Sequence, residues 1–431
     1  MGPSHDVLTS IEICAGAGGQ AIGLHQAGFK HLALVEIDPH AVETLRENIG
    51  CLEEWSWERK YCDVISGDVN NFSPIPPEGG RESDVKKFQE YLGKPLARGD
   101  LDLLAGGVPC PPFSHAGKQL GKDDERDLFP RILELADELH PKAVMIENVR
   151  GIRDAKFEEY RTYIKARLEG GLAKHPITGV EEDFKGLGYK VCKWEVLEAS
   201  DFGVPQLRPR AVLVAIREDV LADTDFVWPA ATGNPKSVFQ ALEQSMSLRY
   251  APYLKMNGDV ARLAEARLSQ WKEKAQRAES KKDSGVAPTL VGGSKKHGGA
   301  DLGPSRAKAA WALLGVSGVG VANSHDESVK RQSQDRDLFR EAGPMLTVAQ
   351  AAIIQGFPAD WKFSGGKTAQ YRQVGNAFPP PVAAAVGKAI ADVLRAAHER
   401  DSRKSAPDGV LLGQPAPTCT DSAHNGERAR V

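Results

Sequence analysis

Cysteine is scarce and scattered. The six thiols, Cys14, Cys51, Cys62, Cys110, Cys192 and Cys419, include no CxxC pair. That argues against a disulfide framework or a zinc site and leaves a reducing cytoplasm as the default compartment. Long apolar runs are missing too. None approaches the roughly 20 residues that span a bilayer, so no membrane association is expected. Residues 1–10 lack a basic start followed by an apolar stretch, and no secretory signal is read there. Net charge is almost absent, at −3 over 431 residues, and gives no global sign of a nucleic-acid partner. The average conceals a local bias. Residues 251–340 hold 16 Lys and Arg against 10 Asp and Glu, a net of +6. That suits a phosphate-facing surface, or equally a solvated basic face.

What is present is an alternation of short apolar runs and helix-like stretches. Residues 9–14 (TSIEIC), 31–37 (HLALVEI), 101–107 (LDLLAGG) and 143–149 (AVMIENV) read as strands. Helical stretches follow the glycine-rich turn Ala15–Gly23, start at Asp38-Pro39, and recur at 130–140. Asp at a cap and Pro in the first turn are helix-start signals. The pattern predicts an α/β chain with a parallel sheet covered on both faces. Residues 72–99, rich in Pro, Gly and charge, read as an insertion. Beyond residue 217 the pattern weakens, with a polar helix-prone stretch at 256–285 and a Gly/Ser/Lys-rich one to 325. Regularity returns at 346–355 and in the proline-opened helix 379–397. The expected organisation is a main domain of residues 1–217 plus 341–398, a smaller irregular domain at 218–340, and a disordered tail at 399–431.

Two local patterns carry chemistry. Strand, glycine turn and helix together suit a nucleotide-like ligand, because glycines let the backbone approach and a helix N-terminus offers free N–H groups. Glu36, ending the next strand, is placed to bond ribose hydroxyls, and Asp68 to accept from an adenine amino group. Gly16-x-Gly18-x-x-Ala21 also satisfies a loose dinucleotide pattern, so NAD stays open at this point. The second pattern is Cys110 in GGVPCPPFS, just past the strand 101–107. A lone cysteine is usually a small buried hydrophobe. Its company changes the reading: Glu147-Asn148 ends an apolar strand, where a carboxylate beside an amide is poor core design. Gln206, Arg208 and Arg210 alternate in QLRPR and are predicted on one side of an extended strand continued by AVLVAI. Such arginines can bind phosphate or a carbonyl oxygen and can favour a nearby thiolate.

These residues, in this order, resemble the DNA cytosine carbon-5 methyltransferase family of bacterial restriction–modification systems, over about residues 9–216 and 340–397. The resemblance implies a Rossmann-like, S-adenosylmethionine-dependent methyltransferase sheet with a smaller target-recognition domain at 218–340. It makes IEICAGAGG the first cofactor motif, with Cys14, Ala15, Gly16, Ala17 and Gly19. It makes VEID the ribose motif, with Glu36 and Ile37, and GDV the adenine motif, with Asp68 and Val69. Pro109, Leu128, Asn376 and Ala377 complete the implied cofactor set. Cys110 becomes the nucleophile, Glu147 the acid, and Arg208 and Arg210 the motif's two arginines, Arg210 best matching the one that touches the base. Ser114, Gln206, Thr289 and Leu290 are the implied DNA contacts; Lys295 and Lys296, in the loop that follows, suit passage close to phosphates or equally a mobile surface loop. Four positions depart from the family's usual residues: Glu12 for Asp, Cys14 for Phe, Pro111 for Gln and Ala377 for Ser.

The implied chemistry needs these groups together. Carbon 5 of cytosine is too poor a nucleophile to accept a methyl group unaided. A thiolate adding at carbon 6 activates it, an acid at ring nitrogen 3 meets the developing charge, and an arginine holds the carbonyl oxygen. The base must first turn out of the duplex. The implied partners are double-stranded DNA and a cognate restriction endonuclease; the expected state is a monomer in a prokaryotic cytoplasm. An RNA methyltransferase lacks support, since the transfer-RNA branch's Cys-Phe-Thr signature is absent. A decayed DNA-binding regulator is at odds with intact Cys110, Glu147, Arg208 and Arg210. An NAD-dependent oxidoreductase leaves PCPPFS, IENV and QVGN unexplained.

Overall fold

The computed structural model describes residues 7–76, 82–109, 127–233, 235–280, 285–292 and 300–405. Nine strands are present among them: β1 Leu8–Ile13, β2 Phe29–Glu36, β3 Asp63–Ser66, β4 Leu103–Gly107, β5 Ala143–Val149, β6 Gly171–Lys174, β7 Glu181–Phe184, β8 Tyr189–Glu198 and β9 Pro209–Arg217. Seven form one sheet in the order β3-β2-β1-β4-β5-β9-β8, while β6 and β7 pair apart as a hairpin. Strands β1 to β5 run parallel. β9 is antiparallel to both β5 and β8. From β1 the chain proceeds outward to β2 and β3, and from β4 outward to β5 on the other side. The topological switch therefore lies between β1 and β4, where open α/β sheets bind ligands beyond their carboxyl ends.

The strands are continuously apolar because both faces are covered. In β9, Ala211, Leu213 and Ala215 face one core, while Val212, Val214 and Ile216 face another. β5 divides likewise, with Val144 and Ile146 on the first side and Ala143 and Met145 on the second. Each fully buried aliphatic side chain stabilises the fold by about 1.5–3 kcal/mol. Helix Phe129–Leu139 covers the first face with Phe129, Ile132, Leu133, Ala136 and Leu139, a stripe at helical spacing. The second face is covered by helix Gly19–Gln26 and by helix Pro380–Ser405, whose Val382, Val386, Ile390 and Leu394 are buried there. The two helices touch through Gly23: a Cβ there would lie 2.4 Å from the Pro380 carbonyl oxygen and 2.5 Å from Ala383 Cβ. That close approach is how the C-terminal helix completes an N-terminal sheet. The helical stretch Lys367–Arg403 is long and apolar enough to cross a membrane by composition, but 67% of its apolar window is buried inside the protein.

Residues 72–99, expected as an insertion, pack onto the core through Val85, Phe88 and Leu96 beside Phe72. Two expectations need correction. The middle region is helical rather than irregular among its described residues, with Val238–Leu254, Asp259–Glu279, Ser305–Leu313, His325–Lys330 and Gln334–Asp337. Its Leu242, Met246, Tyr250, Trp271 and Trp311 belong to one apolar cluster with Leu346, Ile354 and Trp361. The final helix runs on to Ser405, past the start of the expected tail. The rest of that tail, 406–431, lies outside the described residues.

Candidate active site

The turn after β1 is built to expose backbone. Cys14 sits at φ 52 and Gly18 at φ 89, left-handed conformations that cost a cysteine strain and a glycine none. A Cβ at Gly18 would lie 2.8 Å from Trp361 Cζ2, and the Trp361 indole N–H donates to the Ala17 carbonyl at 3.0 Å. Helix Gly19–Gln26 follows with no side-chain cap on its first turn. Glu36, at the end of β2, is fixed by three backbone donors: Gly16 N at 2.7 Å, Ile37 N at 2.9 Å and Asp38 N at 2.8 Å. A carboxylate offers about four acceptor positions, so Glu36 keeps capacity for an incoming hydroxyl. Asp38 caps helix Pro39–Cys51 by accepting from His40 N and Ala41 N. Burial, with the negative charges of Glu36 and Asp68 nearby, pushes the Cys14 thiol up to about 12. It is therefore a neutral wall group and no nucleophile.

The second half of the site lies across the switch. Gly107 pairs with Glu147 between β4 and β5. A Cβ at Gly107 would stand 3.2 Å from Glu147 Oε2, so the missing side chain gives the carboxylate its room. Arg210 Nε donates to Glu147 Oε1 at 2.9 Å. Burial raises the Glu147 carboxyl, opposed by the charges of Arg210 and Arg208. The desolvation wins, which favours a neutral acid able to donate a proton. Asn148 Nδ2 donates to the Val108 carbonyl at 2.8 Å, tying the end of β5 to the segment that leads into Cys110.

A cavity of about 230 Å³ joins the two halves along the carboxyl ends of β2, β1, β4 and β5. It gathers Cys14, Ala15, Gly16, Ala17, Gly19, Glu36, Glu147, Asn376 and Ala377 from the sequence-derived set. It also brings in Gln20, Asp38, Ala41, Gly107, Arg372, Gln373 and Phe378, which sequence reasoning missed. Among these, Gln20 carried a signal: a polar residue next to the glycines at the start of an apolar helix. Others in the expected set lie off the wall. Ile37 is exposed and Val69 is buried in the core. Asp68 accepts from Asn70 N at 2.9 Å, Leu128 precedes helix Phe129–Leu139 as its cap, and Pro109 does not line the cavity. Cys110, Ser114, Lys295 and Lys296 lie outside the described residues.

The QLRPR segment differs from its expected form. β9 begins only at Pro209, so Gln206 and Arg208 do not share a strand face with Arg210. Arg208 is 1% exposed. Its Nη1 donates to the Leu290 carbonyl at 2.7 Å, and its Nη2 to those of Gly375 and Ala377 at 2.7 and 2.9 Å. Gln206, expected at DNA, is fully buried. It accepts from Leu290 N at 2.7 Å and donates to Gln355 Oε1 at 2.7 Å. Thr289 Oγ1 donates to the Leu207 carbonyl at 2.6 Å. These groups brace the 287–290 segment against Asn376 and its neighbours: backbone carbonyls hold both Arg208 Nη atoms and the Thr289 hydroxyl, and the Gln355 side chain holds the Gln206 amide.

The sequence model for C-5 cytosine-specific DNA methylases matches residues 8–392. The Type II methyltransferase M.NaeI of Lentzea aerocolonigenes is 43% identical over 402 residues, covering 93% of this chain and 78% of its own length. M.NgoMIV of Neisseria gonorrhoeae, also a Type II methyltransferase, is 41% identical over 394 residues, covering 90% and 98%. Among solved structures, a candidate DNA modification methyltransferase from an E. coli prophage superposes with a TM-score of 0.50 at 20% identity, over 90% of this chain and 99% of that one. That last similarity speaks to the fold alone.

Proposed function

The chain belongs to the C-5 cytosine-specific DNA methylase family, and from that premise we propose how this DNA cytosine-5-methyltransferase works. It transfers a methyl group from S-adenosylmethionine to carbon 5 of a cytosine turned out of a specific short double-stranded sequence, through a covalent adduct with Cys110. The single observation that carries the reading is the shared cavity. On one side stands Glu36 with acceptor capacity to spare; on the other stands Glu147 paired with Arg210.

The residues present fit the cofactor. Glu36, with acceptor capacity left beside its three backbone donors, suits a ribose hydroxyl. When bound, S-adenosylmethionine supplies an electrophilic methyl group. The chain's residues do the rest. Cys110 adds to carbon 6 as thiolate. Glu147, kept towards its neutral form by burial, donates to ring nitrogen 3 as charge develops there. Arg210, already against Glu147, balances the carboxylate that results and would hold the base's carbonyl oxygen; after methyl transfer a base takes the carbon-5 proton and the Cys110 thiolate leaves carbon 6. Residues 218–340 are the proposed target-recognition region, with Thr289 and Leu290 at its inner edge. A restriction endonuclease acting on the same site is the proposed partner, following the Type II relatives.

The test uses DNA carrying 5-fluorocytosine. Fluorine at carbon 5 cannot leave as a proton does, so the adduct should persist as a denaturant-resistant protein–DNA band in the presence of cofactor. Cys110→Ser should lose the band while still binding cofactor. A band of undiminished strength in Cys110→Ser would remove Cys110 as the nucleophile.

A further inference from the structure

The segment that carries Thr289 and Leu290 meets helix Lys367–Asn376 through two glycines. A Cβ at Gly375 would stand 2.6 Å from Gly292 N and 2.7 Å from its Cα. A Cβ at Gly292 would stand 2.1 Å from Asn376 Oδ1, 2.8 Å from its Cγ and 3.2 Å from the Arg372 carbonyl oxygen. Non-bonded carbons settle at roughly 3.5–4 Å, so neither position has room for a side chain. Neither glycine has a positive φ. Close approach, and not backbone conformation, is what calls for glycine here.

The backbone on both sides of this contact is pinned. Arg208 donates to the carbonyls of Leu290, Gly375 and Ala377, and Leu290 N donates to Gln206 Oε1 at 2.7 Å. A methyl group added at Gly292 would therefore meet fixed backbone at Arg372 and a rotatable side chain at Asn376. The Asn376 carboxamide is the part that gives way. Asn376 is exposed and lines the cavity together with Arg372 and Gln373. The proposed target-recognition region thus supplies the surface against which one wall of the cavity is set. Resting on the cofactor reading above, we propose that Gly292 is a positioning residue: having no side chain, it lets the Asn376 carboxamide stand at the cavity, where it hydrogen-bonds S-adenosylmethionine.

The test is a double-mutant cycle, read by calorimetric titration of the full chain with S-adenosylhomocysteine. Asn376→Ala should weaken the ligand about three- to tenfold, the worth of one hydrogen bond. Gly292→Ala should weaken it by a similar factor. The two substitutions together should be no worse than Asn376→Ala alone, because the atoms that the new methyl group strikes are then gone. Losses that multiply would overturn the proposal and mark Gly292 as a packing residue whose replacement shifts the whole wall. Unchanged affinity of Gly292→Ala would overturn it too, as would unchanged affinity of Asn376→Ala, since the carboxamide then touches no cofactor. If Gly292→Ala alone does not fold, the double variant still decides: it should fold and match Asn376→Ala, and failure to do either would overturn the proposal. Should the wild-type chain not bind S-adenosylhomocysteine, or Glu36→Ala bind it as tightly as wild type, the cofactor reading itself fails, and the proposal with it.

Discussion

Replacing Glu12 by glutamine swaps an ionisable group for a neutral one of nearly the same shape at a position with no solvent exposure. Burial raises the folded-state value from the ordinary 4.5 to about 8. A raised value means that the folded chain holds a proton which the unfolded chain releases at lower pH. The contribution to stability is therefore intact below pH 4.5, declines as pH rises, and is fully lost above about pH 8. The decline is about 1.4 kcal/mol per pH unit inside that window. At pH 7 the wild type should have lost about 3 kcal/mol that Glu12→Gln keeps, and by pH 9 about 5 kcal/mol. Urea unfolding of both proteins at pH 5, 6, 7, 8 and 9 reads this directly, since the difference between them cancels every other titrating group. The variant's advantage should grow through pH 8 and then level off. A difference that stays constant from pH 5 to 9, or shrinks, would refute the reasoning and mean that the Glu12 carboxyl finds a charge-stabilising partner.

Other perturbations separate chemistry from architecture. Glu147→Gln removes the acid beside Arg210, and single-turnover methylation should slow by about 100-fold or more with cofactor affinity little changed. Arg208→Met leaves the carbonyls of Leu290, Gly375 and Ala377 without their donor. It should lower stability by about 3 kcal/mol, seen as a reduced melting temperature of the protein without DNA; a loss of activity alone would return Arg208 to the reacting centre. Gly23→Ala forces a methyl group against the Pro380 carbonyl and Ala383 and should cost about 1–3 kcal/mol in thermal unfolding.

The sheet was legible because burial on two faces leaves a plain mark. AVMIENV is apolar without alternation, and it forms β5 over the very residues 143–149. The glycine turn and Asp38-Pro39 were legible through backbone demands that few residues meet. QLRPR was misread because alternation cannot tell a strand face from a clamp: Gln206 turns inward to the Gln355 side chain and Arg208 to backbone carbonyls, all far away in sequence. In the middle region the helix-prone stretch 256–285 holds helix Asp259–Glu279, but the helix before it went unread. Val238, Leu242, Met246 and Tyr250 recur at four-residue intervals and are all buried. Gln20 was passed over because the neighbouring glycines drew the reading to the backbone, whereas its place on the cavity wall is visible only once the fold is known.

The central claim is that this chain methylates cytosine in one short DNA sequence through Cys110. Methylation-sensitive sequencing of DNA from cells expressing the wild-type chain, beside cells expressing Cys110→Ala, tests it most directly. The account expects 5-methylcytosine confined to a single motif in the first and none there in the second. Methylation that persists in Cys110→Ala would contradict the mechanism. No methylated motif from a soluble chain that binds S-adenosylmethionine would contradict the sequence-specific DNA substrate.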